Sequence, residues 1–235
     1  MMLWIILIVA AYIIIQLLFT GYLSNKAKKL PKVSYAGVTE HGNKSKPAFR
    51  VFLAGDSIAA GVGASSPESS MAGRLADGLA KSHHVLFNNS AVSGSRMADL
   101  TKLPAERQNL VVLVISSNDL YHFTPLKKFG LETQKVLSAY SNLSKETIIV
   151  GPGNIGGATA VPLIMRPFYN LQKPKYAAIL KRASSSYPNV SYVNPADFNI
   201  KSYGHTEAAD GFHPNDNGHR FWADLVLDSL GKSSS

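Results

Sequence analysis

The 235-residue chain has no cysteine, which excludes disulfides, thiolate metal sites and cysteine nucleophiles. It is also poor in charge, with 17% Asp, Glu, Lys and Arg beside 46% hydrophobic residues, a balance that fits a globular protein carrying one unusually greasy segment. Its first 25 residues, Met1 to Asn25, hold no charged side chain. Acidic residues are the scarcer sign, 15 against 24 Lys and Arg, for a net charge of +9. Such an excess can mark a nucleic-acid binder, but its placement argues for no nucleic acid. Seven basic residues (Lys26, Lys28, Lys29, Lys32, Lys44, Lys46 and Arg50) face Glu40 alone between positions 26 and 50, which puts +6 of the +9 there and leaves +3 for the rest. Next to an apolar segment such a cluster meets anionic lipid headgroups, or serves as a solvated linker.

The apolar run from Leu3 to Phe19 is broken only by Tyr12 and Gln16. At about 1.5 Å per residue, Met1–Tyr22 is long enough as a helix to cross a hydrocarbon core roughly 30 Å thick. A cleaved signal peptide wants a basic start, a shorter run and a small-x-small site, and no Lys or Arg precedes this run. Residues 1–25 are therefore expected to form a single-pass transmembrane anchor of the bacterial inner-membrane type. The lysines that follow favour a cytoplasmic position for what comes after. Residues 26–48 read as a basic linker, and 49–231 as one globular domain.

Five runs rich in Val, Ile, Leu and Phe read as strands: Arg50–Ala54, Val85–Asn89, Leu110–Ile115, Thr147–Val150 and Val190–Val193. Near-continuous apolar strands are those covered on both faces, as in a parallel sheet. Helices are expected at Ser69–Lys81, Arg96–Leu103, Leu126–Leu143, Gln172–Ser184 and Asp216–Leu230, the last burying Trp222, Leu225, Val226 and Leu230. Alternating strands and helices imply a three-layer α/β/α fold with right-handed crossovers. Ligands of such folds sit outside the carboxyl ends of the strands.

Four blocks follow strands or close the domain. Gly55-Asp56-Ser57 comes straight after the first strand, where a serine hydroxyl at a strand-to-helix turn can face the crevice. The same serine could instead cap a helix. Asn89-Ser90-Ala91-Val92-Ser93-Gly94 follows the second strand and Ser116-Ser117-Asn118-Asp119 the third. Each offers an N–H donor where a carbonyl oxygen turns negative, and each alone is an ordinary turn. Asp210-Gly211-Phe212-His213-Pro214 lies near the end. Its Asp-x-x-His spacing lets the carboxylate meet imidazole Nδ1, leaving Nε2 to take a proton from Ser57.

Together these blocks resemble the SGNH, or GDSL-type, esterase and lipase family over most of residues 50–220. The resemblance implies Ser57 as nucleophile and Asp210 and His213 as its partners. It also implies an oxyanion hole of Ser57, Gly94 and Asn118, and a five-stranded parallel flavodoxin-like sheet of order 2-1-3-4-5. One residue departs: Ser116 stands where the family has glycine. The chain lacks the Gly-x-Ser-x-Gly elbow of ordinary α/β-hydrolases.

The expected activity is hydrolysis of a small-molecule or lipid acyl ester by a monomer through an acyl-enzyme on Ser57. The alternatives are an acyltransferase or deacetylase acting on lipid or envelope polysaccharide, and an inactive membrane-tethered binding module. No cofactor and no metal are expected, since His83, His84 and His219 lack ligand-spaced partners. Asp56 is assigned to hydrogen bonding within its turn and His205 to the surface. Gly151–Gly157 is read as a crevice-lining loop. Phe168, Tyr169 and Tyr176 are read as either an acyl-binding wall or core.

Overall fold

The most apolar run of the domain, residues 110–115, is buried at the middle of a sheet with side chains packed on both faces. This is seen in a computed structural model that describes residues 2–31, 33 and 37–233, without side chains at 2–8, 17, 20, 24, 232 and 233. The strands are β1 Gly37–His41, β2 Ala48–Gly55, β3 His84–Asn89, β4 Gln108–Val114, β5 Ser144–Val150 and β6 Val190–Val193. They form one sheet of order β1-β3-β2-β4-β5-β6. Strands β2 to β6 are parallel, while β1 runs antiparallel to β3.

The sheet is therefore mixed and six-stranded, where the sequence led us to expect five parallel strands. The parallel set does follow the expected order, β3-β2-β4-β5-β6. The added strand comes from the stretch read as linker over 26–48, of which residues 32 and 34–36 lie outside the described residues. Five residues of mixed polarity carry no apolar run to announce a strand. Pairing holds them at the edge, helped by contacts of Glu40 with His84 and of His41 with Asp77.

The helices are α1 Met2–Ala27, α2 Met71–Ala80, α3 Ser117–Tyr121, α4 Leu126–Asn142, α5 Arg166–Ser184 and α6 Asp216–Ser233. Alternation along β2 sends Val51 and Leu53 to one face, where α2 and α6 pack, and Phe52 and Ala54 to the other, where α4 and α5 pack. Trp222, Leu225 and Val226 are buried in the first of these layers, as their spacing predicts. Ser70 caps α2, its hydroxyl accepting from Gly73 N at 3.1 Å. The helix expected at Arg96–Leu103 is instead a single 3-10 turn, Met97–Asp99. Leu100 leaves the helical region at ψ 66°, and Thr101 N donates to Asp99 O at 2.8 Å in place of a carbonyl four residues back, so the helix does not propagate.

Helix α1 covers the segment expected to span a membrane. Among the described residues no helix is long and apolar enough to cross one. Of the expected span, Met1–Tyr22, residues 1–8, 17 and 20 have side chains outside the described ones. The end of α1 returns to the domain, with Leu23 buried at 7% exposure.

Two residues carry costs that can be measured. Ser116 joins β4 to α3 at φ 96°, fully buried, and its hydroxyl has no hydrogen-bond partner among the described residues. A left-handed residue with a Cβ costs about 1–2 kcal/mol, and an orphaned hydroxyl adds to that. Glycine gives back about 0.4–1 kcal/mol through the unfolded chain. Ser116→Gly is expected to stabilise the protein by about 1 kcal/mol, raising the melting temperature by about 2–4 °C. A lower melting temperature in thermal unfolding would contradict this account of the turn.

His219 of α6 is fully buried; its Nδ1 accepts from Met71 N at 3.2 Å and its Nε2 donates to Val62 O at 3.1 Å. Burial pushes the imidazole down from 6.5 to about 4. Between those two pH values the unfolded chain holds a proton that the folded one does not. Stability attributable to His219 is thus complete above about 6.5 and is lost as pH falls toward 4, by on the order of 3 kcal/mol. His219→Gln keeps one donor and one acceptor without the titration. Urea unfolding at pH 7 and 4.5 is expected to show a smaller acid loss in this variant; equal losses in both proteins rule the histidine out as the cause.

Candidate active site

Parallel pairing brings the ends of β2, β3 and β4 to one edge of the sheet, with Leu53 opposite Asn89 and Gly55 opposite Val114. The chain turns sharply after Gly55. A Cβ there would lie 2.2 Å from Val114 O and 2.9 Å from the Ala59 Cβ, so only glycine fits. Asp56 N donates to Val114 O at 3.0 Å, and Asp56 Oδ1 accepts from Ile58 N at 3.0 Å. These bonds hold Ser57 at the top of the turn. Asp56 Oδ2 is buried without a partner among the described residues, and burial raises the carboxyl to about 7. The residue acts within its turn, as expected.

The second block is fastened to the first. Asn89 Nδ2 donates to Ala59 O at 3.0 Å, its Oδ1 accepts from Ala91 N at 3.0 Å, and Val92 N donates to Gly55 O at 3.0 Å. Gly94 then adopts φ +87°. The third block is fastened to the second: Asn118 Nδ2 donates to Ser95 O at 3.0 Å, and the buried Asp119 Oδ2 accepts from Met97 N at 2.7 Å. Burial raises the Asp119 carboxyl despite that bond. An asparagine amide has two N–H donors, so one remains for the crevice after Ser95 is served.

Asp210 and His213 come from the loop before α6. His213 Nδ1 meets Asp210 Oδ2 at 2.6 Å, while Asp210 Oδ1 accepts from Phe212 N and His213 N, each at 3.1 Å. Burial works to raise the Asp210 carboxyl, but the imidazole and the two N–H groups outweigh it and hold the carboxyl below its usual value. The loop is braced from the other side. Ala160 N donates to Gly211 O at 2.8 Å, Thr159 Oγ1 donates to Glu207 Oε2 at 2.6 Å, and Ala208 N donates to His213 O at 2.8 Å.

All five residues singled out from the sequence, Ser57, Gly94, Asn118, Asp210 and His213, line one cavity of about 420 Å³. A second, of about 540 Å³, shares Ser57, Asn118, Phe212 and His213 and extends past Asn154, Lys173, Glu207 and Trp222. Gly153, Asn154, Ile155 and Gly157 line it too, as expected for the 151–157 loop. His205 is exposed and lines neither cavity; Tyr176 is core, Phe168 is exposed, and Tyr169 lines the smaller cavity. Among the described residues no cluster of His, Asp or Glu is placed to hold a metal ion.

Sequence reasoning missed two parts of the site. One is a row of rings that ends at the imidazole. Phe123 stacks on Tyr169 at 5.1 Å, Tyr169 on Tyr121 at 5.9 Å, and Tyr121 meets Phe212 edge-on at 5.6 Å. Phe212 then meets the His213 ring at 5.4 Å. No local pattern links positions so far apart. The other is the end of α1, whose Leu23 and Ala27 line the smaller cavity. An apolar helix read as a membrane span gave no signal of contact with a crevice.

Among solved structures, the fold is similar to the acetylxylan esterase Axe2 from Geobacillus stearothermophilus, at TM-score 0.60 and 20% identity over 80% of this chain and 97% of that one. It is also similar to LAE5, an alpha/beta hydrolase enzyme from the metagenome of Lake Arreo, Spain, at TM-score 0.63 and 17% identity over 79% of this chain and 96% of that one. A two-domain esterase active on acetylated mannans matches at TM-score 0.58 and 18% identity, with 82% of this chain and 52% of that one covered. No curated protein matches the chain in sequence. Residues 53–221 match the GDSL-like Lipase/Acylhydrolase family, which takes in all four blocks and most of the chain, and the protein belongs to that family of ester-hydrolysing enzymes.

Proposed function

We propose that the protein hydrolyses acyl esters through an acyl-enzyme on Ser57 and is held at a membrane by α1. The observation that carries the chemistry is the convergence of Ser57, His213, Asp210, Gly94 and Asn118 on one cavity. Ser57 Oγ attacks the ester carbonyl while His213 Nε2 takes its proton. The carbonyl oxygen, now negative, is met by the N–H groups of Ser57 and Gly94 and by the Asn118 amide. The ester C–O bond then breaks, and the proton passes from His213 to the departing alcohol oxygen. Water, activated by the same imidazole, attacks the acyl-enzyme and frees Ser57. Asp210 keeps Nδ1 protonated and stabilises the imidazolium. Support also comes from Axe2, whose catalytic mutants alter a serine, an aspartate and a histidine, the last two in the same Asp-x-x-His spacing.

The tether rests on the 26-residue helix, on its exposed Val9, Ile13, Ile14, Ile15 and Leu18, and on Lys26, Lys28 and Lys29 at its end. Those lysines favour a cytoplasmic domain in a single-pass inner-membrane arrangement. A second reading, in which the acyl group is removed from or passed to a polyhydroxylated acceptor, is favoured by the larger cavity. Asn154, Glu207 and Lys173 there offer polar groups beside the Trp222 ring. Burial lowers the Lys173 ammonium from its usual value. Product analysis with a competing alcohol separates transfer from hydrolysis.

Turnover of p-nitrophenyl acetate by Ser57→Ala is expected to fall at least about 10³-fold, with the circular-dichroism spectrum retained and fluorophosphonate labelling lost. A folded Ser57→Ala protein as active as wild type sinks the reading; so does the absence of both turnover and labelling in wild type, which leaves a binding module. Asn118→Ala is expected to lower kcat by about 10²–10³-fold with KM little changed. An unchanged kcat removes Asn118 from the oxyanion hole.

A further inference from the structure

We infer that α1 is part of the active site: its last turns wall the smaller cavity, which takes the acyl chain of the substrate, so the preferred esters carry acyl groups much longer than acetyl, as lipids do. The inference rests on the esterase reading above and names the substrate class of the same site. The two cavities meet at Ser57, Asn118 and His213 but differ in what surrounds them. The smaller holds Gly94, one of the expected oxyanion donors, and its remaining wall is mainly apolar, with Leu23, Val161, Met165 and Phe212 beside Tyr121, His122 and Tyr169. The larger carries the polar side chains and suits the alcohol portion. An ester bound across Ser57 thus has its acyl half directed toward α1.

Leu23 is the side chain that makes this more than an open groove. It is 7% exposed, although neighbours on the same helix such as Tyr22 are more than half exposed. The helix is therefore seated against the cleft at that point. The rim formed by residues 162–165 is apolar: Leu163 and Ile164, between the cavity-lining Pro162 and Met165, are 56% and 61% exposed. Exposed apolar residues joined to a cavity mark a surface made for an apolar partner. Here the cavity ends at the reacting serine, so that partner is the substrate's own chain. A bilayer held by the rest of α1 would supply such substrates at high local concentration.

Each methylene buried on binding is worth up to about a fourfold gain in kcat/KM. The full chain in one non-ionic detergent is assayed with p-nitrophenyl acetate, butyrate, hexanoate and octanoate. The ratio of octanoate to acetate kcat/KM is expected to exceed 100 in wild type, and to fall at least tenfold in Leu23→Trp and in Ala27→Trp, which fill the cavity from the helix side. Ile14→Trp, on the exposed part of α1, is expected to keep the wild-type ratio. The ratio is taken only from variants whose thermal unfolding remains cooperative, and Met165→Trp supplies the same test from the opposite wall if both helix variants unfold. A wild-type ratio near or below one overturns the inference, as does a ratio unmoved by every filling variant. Absence of turnover on all four esters, acetate included, overturns the esterase reading itself.

Discussion

Three of the five residues at the candidate site, Ser57, Gly94 and Asn118, are positioned by the parallel pairing of β2 with β3 and β4. Parallel strands end at one edge, and in this sheet the three strands that end beside one another are those followed by Ser57, Gly94 and Asn118. Register then decides the spacing. Gly55 lies opposite Val114, so near that no side chain fits between them, and the same Val114 carbonyl accepts from Asp56 N. A one-residue slip would turn Ser57 from the crevice and send Val51 and Leu53 into the layer that now holds Phe52 and Ala54. The core that fixes the register therefore also fixes the chemistry.

The polar groups behind this edge form a graded set of carboxylates. Asp210 is buried yet held ionised, because an imidazole and two N–H groups converge on it. Asp56 has one N–H and an empty side, and its carboxyl is raised to about 7. Asp119 is raised by burial while it accepts from Met97 N, where it joins the third block to the second. Residues of one type thus shift in opposite directions according to how many donors reach them. The one that is lowered bonds the histidine, which is the arrangement a proton-accepting imidazole requires.

Much of this was legible in the sequence, for reasons that differ by element. The β4 run and the alternation of strands with helices announced the parallel set and its layers, because burial on both faces leaves a composition signal. The blocks at Ser57, Gly94, Asn118 and Asp210–His213 were legible as short motifs, because each is built from neighbours along the chain. Strand β1 was not, since an edge strand needs only a partner's free N–H and C=O groups and no apolar run. The helix expected at Arg96–Leu103 stops after one turn because Leu100 leaves the helical region and Thr101 N turns back to Asp99 O, which apolar spacing cannot report. The ring row from Phe123 to His213 was hidden for another reason: it draws on three separate loops and helices that only the fold brings together.

The same distinction explains why α1 was read for one property and carries two. A run of apolar residues says that a segment avoids water, without saying what replaces the water. Among the described side chains of α1, Val9, Ile13, Ile14, Ile15, Leu18 and Phe19 stand exposed, as on a surface turned to lipid, but at Leu23 and Ala27 the replacement is the protein's own cleft. A helix that ends on the lip of a crevice has little freedom to swing the domain about it, so the proposed tether would also set which way the crevice faces. Orientation matters for an ester whose acyl half lies in a bilayer, because only a crevice opening along the anchoring helix can receive it without first drawing the whole molecule into water. Anchoring and substrate selection would then be two consequences of one contact, and a change at Leu23 would be felt in both.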